Sequence, residues 1–274
     1  MPMKPAWKAG LASCAALIAV SACASNSRSE QLAYVEQPVE TIYNAAMESL
    51  DRRIYPLAAA QFDEVQRQHP YSIWAQRALL MAAYARYQAR DYDEAIASAQ
   101  EYITLHPGGD GAPYAYYLIA ACHFDQIIDV GREQARSELA LAALNEVTAR
   151  FPESEYARDA ELKSDMVRDQ LAGKEMEVGR YYLRRDEHLA AINRFKRVID
   201  EYDTTSHTPE ALHRLVEAYL SIGLTGQAQA AASVLGYNYP GTNWYVDTYN
   251  LMTGAGIELP DEPEQDEGWF SRFF

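Results

Sequence analysis

The chain has 274 residues, of which 49% are hydrophobic, and its 39 acidic and 24 basic side chains give a formal net charge of -15. This length and apolar content are ample for a sizeable core. The strong negative charge opposes binding to nucleic-acid phosphates and to anionic lipid head groups, so nucleic acid is not an expected partner.

The first 22 residues have the organisation of a secretory signal. Lys4 and Lys8 precede an uncharged apolar stretch, residues 9–20, that is too short to span a bilayer stably. The sequence VSAC at residues 20–23 resembles the lipobox of bacterial lipoproteins. This resemblance implies attachment of diacylglycerol to the sulfur of Cys23, then cleavage before this residue, and finally attachment of an acyl chain to its nitrogen.

Cys23 is therefore the expected lipid anchor. A second lipobox-like string ends at Cys14, but it leaves too few apolar residues before the cut for a signal. Ala24 follows Cys23, without the Asp that retains lipoproteins in the inner membrane, so the same resemblance implies an outer-membrane protein that faces the periplasm. Several acyl chains hold a protein firmly to a membrane. Residues 23–36 are then a lipidated tether.

Cys122 is the one thiol left once Cys23 is acylated and the signal is removed. No internal disulfide is expected for that reason. Cys122 lies among small and aromatic residues, so we interpret it as a buried apolar side chain and not as a nucleophile.

A short pattern recurs five times between the two ends of the chain. An Ala is followed four residues later by an apolar residue, and eight residues after that by Pro, with Asp203 in its place in the fourth copy. The copies begin at Ala58, Ala95, Ala140, Ala191 and Ala228. Self-similarity of this kind is the signature of a solenoid of helical hairpins. We predict an all-α superhelical solenoid of about five tetratricopeptide-like hairpins, with repeats 1–3 in residues 37–160 and repeats 4–5 plus a capping segment in residues 161–256.

The second repeat shows how one hairpin is expected to form. Residues 75–88 place apolar side chains on successive helical turns, which predicts the first helix. Asp91 is expected to cap the second helix, and Pro107 to end it.

Residues 154–185 contain no proline. This predicts one long helix that joins the third and fourth repeats and is bent near Gly173 or Gly179. The alternative is two ordinary helices.

No arrangement of side chains typical of an enzyme appears in the sequence. The six histidines form no metal-binding motif, and His69 and His106 occupy the position before a helix-ending proline. Residues 108–111 (GGDG) lack the Lys-Ser/Thr of phosphate-binding loops and are expected to connect two hairpins. We predict a non-catalytic protein with no cofactor except the covalent lipid.

Tyrosine is abundant, with 20 residues, and several lie on the first helices of the predicted hairpins. In such solenoids the first helices line the concave face, and a tyrosine ring with its polar tip suits contact with an extended segment of another protein. The candidates for partner binding are Tyr43, Tyr84, Tyr87 and Tyr116. For each of them the alternative is a place in the core between hairpins.

The order of lipobox, tether and five hairpins, with the phrase P-x-S-x-x-A at residues 70–75 and 152–157, resembles the BamD lipoproteins of the bacterial β-barrel assembly machinery. The resemblance implies a periplasmic scaffold that binds the periplasmic domains of the barrel protein BamA. It also implies association with other Bam lipoproteins and a role in receiving and inserting unfolded outer-membrane proteins.

Arg194, preceded by Asn193, matches the arginine of the fourth repeat that pairs with BamA in this family, which implies that both residues bind the partner. The alternative for Arg194 is a solvated helix face with acidic neighbours. For the whole chain, the alternative function is a periplasmic repeat adaptor of the cell-division coordinator type, although that class usually lacks a lipobox.

Residues 257–274 depart from the family pattern. They form an acidic stretch followed by four aromatic residues, among them Trp269. One interpretation is a disordered end. The other is an aromatic plug for a partner's groove or for the membrane interface, where Trp is favoured.

Overall fold

The structure is a computed structural model that describes residues 36–127 and 134–257. The predicted signal segment, the lipidation site Cys23, nearly all of the tether and Trp269 lie outside these ranges. All the described helices belong to one compact unit that begins at Val39.

The described part of the chain contains eleven α-helices and no β-strand. They are α1 Val39–Asp51, α2 Tyr55–Gln68, α3 Ile73–Gln88, α4 Tyr92–Leu105, α5 Ala112–Asp125, α6 Gln134–Arg150, α7 Glu155–Leu183, α8 His188–Glu201, α9 Thr208–Ser221, α10 Thr225–Asn238 and α11 Asn243–Gly254. The predicted all-α class is confirmed.

Each helix packs against the next helix in the chain, so that α1 to α10 form five hairpins and α11 follows as a further first helix. The odd-numbered helices also contact the next odd-numbered helix along the chain. This nearest-neighbour packing is that of a helical-hairpin solenoid, as the repeat pattern predicts.

The recurring positions of the sequence form the core of each hairpin. The first and fifth residues of all five copies are fully buried; they are Ala58 and Phe62, Ala95 and Ala99, Ala140 and Leu144, Ala191 and Phe195, and Ala228 and Ala232. The fourth copy keeps this register although Asp203 replaces its proline. Its helix α8 ends at Glu201 with Tyr202 at the C-cap, which is the position where the other second helices end before their prolines. Alanine at the first position lets the neighbouring helix approach closely.

The turns inside four of the hairpins share one backbone conformation. A residue with positive φ precedes the N-cap of the second helix in each of them; these residues are Arg53, Arg90, Asp186 and Gly223. The N-cap that follows has ψ between the helical and extended regions, 72° at Asp91. A capping side chain requires an extended N-cap. Asp91 makes no capping hydrogen bond, so the prediction that its side chain caps α4 is wrong.

Side-chain capping occurs instead at two of the turns between hairpins, where the N-cap is extended; Ser154 before α7 is also extended but makes no such bond. The hydroxyl of Ser72, at ψ 154°, accepts a hydrogen bond from the backbone N–H of Ala75. Thr242, at ψ 149°, does the same for Tyr245. These two side chains start α3 and α11.

The helix α7 runs without interruption for 29 residues. The prediction of one long helix is therefore confirmed, and the alternative of two helices is wrong. Its amino-terminal half contacts the third repeat, with Asp159 bonded to Tyr117 of α5, and its carboxy-terminal half contacts α8 and α9, with Arg180 bonded to Glu210. The bend predicted at its glycines stays a prediction.

Candidate protein-interaction site

Tyr43 of α1 packs against aromatic side chains of the next two helices. Its ring centroid is 4.8 Å from that of Trp74 and 5.4 Å from that of the fully buried Phe62. Burial raises the pKa of Tyr43 above its ordinary value, with the nearby Arg77 opposing the shift. Tyr43 therefore joins α1 to α2 and α3, which is the core role.

Tyr84 and Tyr87 are both half-buried on α3. The hydroxyl of Tyr87 donates to Oδ2 of Asp125, at the end of α5, over 2.7 Å. Burial, and then this hydrogen bond to a carboxylate, raise the pKa of Tyr87. Tyr87 links the first helices of the second and third repeats and still keeps part of its ring in solvent.

Tyr116 packs within its own hairpin. Its ring lies 5.3 Å from that of Phe151, and the guanidinium of Arg150 lies 5.1 Å from its centroid. Its neighbour Tyr117 instead faces α7, where it donates to Asp159 over 2.5 Å. The structure thus brings Tyr43, Tyr87 and Tyr117 to the contacts between odd-numbered helices, whereas Tyr116 packs within its own hairpin.

Arg194 and Arg197 of α8 share one buried carboxylate. Nη1 of Arg194 lies 3.0 Å from Oε2 of Glu175, and Nη1 of Arg197 lies 3.0 Å from Oε1 of the same side chain. The Glu175 side chain is 2% exposed, and removing either arginine would leave its buried carboxylate with one partner fewer. We call Glu175, Arg194 and Arg197 the Glu175 cluster.

The two arginines differ in what else they meet. Arg197 also bonds Glu201 over 3.0 Å and lies 3.9 Å from Glu138. Arg194 is 39% exposed and pairs with Glu175 through Nη1. Asn193, beside it, is exposed. Arg194 therefore has an acidic neighbour, as the alternative of a solvated helix face expected. That neighbour is buried, however, and it fixes the guanidinium of Arg194 at the surface.

Sequence reasoning missed Glu175 and Arg197. A signal for Glu175 was present, since it lies between Leu171, Ala172 and Met176 on the apolar face of α7, where an unpaired acid would be costly.

The segment at residues 108–111 connects α4 to α5, as predicted. The N–H of Gly111 donates to Oη of Tyr102 over 3.2 Å. A Cβ on Gly111 would lie 2.6 Å from that oxygen and 2.7 Å from Cδ2 of Leu80. Glycine is needed here because the loop packs closely on these side chains.

Cys122 is buried on α5, and burial raises the pKa of its thiol to about 12. Its interpretation as a buried apolar residue is confirmed. In residues 36–127 and 134–257, His, Cys, Asp and Glu side chains form no group of three that could hold a metal ion. None of the helices described is both long and apolar enough to cross a membrane.

Comparison with known proteins gives one consistent result. The model of an outer membrane lipoprotein family, YfiO, matches residues 35–235. An outer membrane protein assembly factor BamD of Caulobacter vibrioides is 53% identical over 244 residues, which cover 89% of this chain and 80% of that protein. A BamD of Rickettsia prowazekii is 44% identical over 215 residues, covering 78% of this chain and 86% of that protein.

The solved structures that match are more distant in sequence. A thermophilic tetratricopeptide-repeat protein of Thermus thermophilus is 17% identical, with a TM-score of 0.37, over 80% of this chain and 98% of that chain. From the match to the family model and the identity to the BamD relatives, the chain belongs to the YfiO family of outer membrane lipoproteins, the family of the outer membrane protein assembly factor BamD.

Proposed function

We propose that this chain is a non-enzymatic scaffold of the outer-membrane β-barrel assembly complex, held to the periplasmic side of the outer membrane by lipid on Cys23. In this role it binds the periplasmic domains of BamA, associates with other Bam lipoproteins and receives segments of unfolded outer-membrane proteins. The observation that carries the proposal is the family membership, which extends across the five hairpins. Membership also favours this function over that of a cell-division adaptor.

The Glu175 cluster supports a contact with BamA through Arg194. Glu175 neutralises part of the cluster's positive charge and holds the Arg194 guanidinium in one orientation, while part of that group stays in solvent. A guanidinium fixed in this way is suited to a carboxylate of a partner, because little side-chain entropy is lost on binding. Asn193 adds an exposed amide next to it.

The half-buried tyrosines of the odd-numbered helices support binding of an extended client segment. Tyr84 and Tyr87 keep part of their rings in solvent on α3, and a peptide laid across α3 and α5 would meet apolar ring surface with hydroxyl groups at its edge. Tyr43 packs between the first and second hairpins and Tyr116 packs within the third, so we expect them to act on binding through the shape of the scaffold.

The test must separate binding from folding. Reversing the charge of Arg194 would set two acids against each other at Glu175 and destabilise the fourth repeat, whatever the partner does. We therefore compare Arg194→Gln with Arg197→Gln, each of which leaves Glu175 with one guanidinium. Both variants should lower the unfolding midpoint, Arg197→Gln somewhat more because it also loses the bond to Glu201.

Only Arg194→Gln should weaken association with BamA, by about tenfold or more, since a hydrogen bond between charged groups contributes about 1.5–3 kcal/mol. Association is measured by co-purification from detergent-solubilised membranes and by titration with the periplasmic domains of BamA. Equal losses of association in both variants, or no loss in Arg194→Gln, would remove the assignment of Arg194.

A further inference from the structure

The last helix, α11, is the first half of a hairpin whose second half is missing from the described residues. On one side it packs against the fifth repeat through Thr248 and Met252, which are fully buried. The hydroxyl of Thr248 lies 2.8 Å from Nδ1 of His213 in α9. On this side α11 packs on the hairpin before it as α3, α5, α7 and α9 do.

The shared start of α3 and α11 aligns the two helices residue by residue. Ser72 and Thr242 cap them through the same hydrogen bond, to the N–H three residues later. With this register, Thr248 corresponds to Ala78 and Met252 to Ala82, all of which face the preceding hairpin. The other face of α11 can therefore be compared with the face of α3 that carries the next hairpin.

On α3 that second face is covered. Leu79 and Ala83 pack with Ala99 of α4 and Leu118 of α5, and the side-chain amide of Gln76 lies 3.3 Å from Oη of Tyr102.

The corresponding residues of α11 are Val246 for Gln76, Tyr249 for Leu79 and Thr253 for Ala83. All three are exposed, Val246 to 54% and Tyr249 to 49%. We call these three residues the outer face of α11. The end of a helical-repeat array usually carries a polar outer face, because no further repeat covers it, whereas here Val246 and Tyr249 are apolar or aromatic.

The chain continues for 17 residues beyond Ile257. Residues 258–268 are mostly acidic and polar and can span up to about 36 Å when extended, whereas α11, with its 12 residues, is about 18 Å long. The aromatic segment that follows, residues 269–274 (WFSRFF), is therefore able to reach any point of the outer face. Trp269 and Phe273, like Phe270 and Phe274, are four residues apart, a spacing that puts side chains on one side of a helix.

We propose that residues 268–274 dock on the outer face of α11 and take the place of the missing second helix of a sixth hairpin. The aromatic side chains cover Val246 and Tyr249, as the fourth and fifth helices cover Leu79 on α3. The acidic residues before them act as a solvated linker, since the net charge of the whole chain is also negative. The solenoid is thus closed at its carboxy-terminal end by its own tail.

The test is photo-crosslinking in the full-length lipidated protein, with p-benzoylphenylalanine at Trp269. We expect a crosslink within the same chain to the peptide that contains residues 246–253, with a yield independent of protein concentration. Val246→Asp places a charge on the outer face and should lower this yield by roughly tenfold, the effect of about 1.4 kcal/mol. The same probe at Gln265, in the acidic linker, is the matched control and should give little of this crosslink.

Three outcomes would overturn the proposal. The first is a concentration-dependent crosslink from the probe at Trp269 to a second copy of the chain. The second is a crosslink to lipid or to another protein of the membrane in place of α11. The third is a crosslink to α11 whose yield is unchanged by Val246→Asp. Circular dichroism of Val246→Asp checks that the solenoid is intact, which an exposed position should allow.

Discussion

Substituting Gly179 of α7 by alanine tests how closely α7 packs against α8. A Cβ at this residue would lie 2.4 Å from Cε1, 2.8 Å from Cδ1 and 2.9 Å from Cζ of Phe195. Phe195 is fully buried, so its ring cannot turn away into solvent. Gly179→Ala must therefore displace the ring or separate α7 from α8.

The expected change in the free energy of unfolding for Gly179→Ala follows from two opposing effects. Overpacking a buried site costs about 1–3 kcal/mol, and three rigid ring atoms at these distances favour the upper end. Alanine in a helix interior is more stable than glycine by about 1 kcal/mol. The net loss is about 2 kcal/mol, which lowers the unfolding midpoint of a domain of this size by roughly 4–8 °C.

Gly226→Ala is the matched control. Gly226 lies in the first turn of α10, and a Cβ there would meet nothing within 4 Å. This variant keeps the gain in helix propensity without the clash, so its midpoint should equal or slightly exceed that of the wild type. The assay is thermal unfolding followed by circular dichroism at 222 nm on the chain without its signal segment.

A double variant completes the test. Phe195→Leu shortens the side chain that the new methyl group meets, so it should cost less stability in Gly179→Ala than in the wild-type chain. If Gly179→Ala unfolds at or above the wild-type temperature, the packing argument is refuted.

Two further predictions concern buried titratable groups. Burial raises the pKa of the Cys122 thiol from 9.0 to about 12, so its thiolate fraction at neutral pH falls roughly a thousandfold. In the chain that begins after Cys23, a thiol reagent should therefore label Cys122 in urea and hardly at all in the folded state. Equal labelling rates in the two states would contradict this prediction. Burial also lowers the pKa of His213, which bonds Thr248 of α11. The unfolded chain therefore binds the proton more readily once the pH falls below about 6.5, the ordinary pKa, and stability is lost from there down to the lower folded-state value. Burial also lowers the pKa of His123, so the contribution of His213 must be isolated by a variant. The measurement compares the unfolding midpoints of wild type and His213→Gln at pH 7.5 and 5.5. The variant should lose less stability on acidification, and equal losses would exclude His213 as a source of the pH dependence.

The amino-acid sequence by itself determined the repeat architecture of this protein. The spacing from Ala58 to Phe62 and its four later copies requires those side chains to share one face of a helix, because residues four apart on a helix are neighbours. The lack of proline in residues 154–185 likewise allowed one continuous helix. These are local properties, which do not depend on where the helix is placed in the fold.

The tertiary structure alone decided which side chains meet across the helices. Asp91 has a side chain suited to capping, but the turn after Arg90 removes the extended backbone that a cap needs. Tyr84 and Tyr116 look alike in sequence, yet one lies on the partly open face of α3 and the other under Arg150. The pairing of Glu175 with two arginines depends on the angle and depth at which α8 crosses α7, and that geometry is set by all the residues between them together.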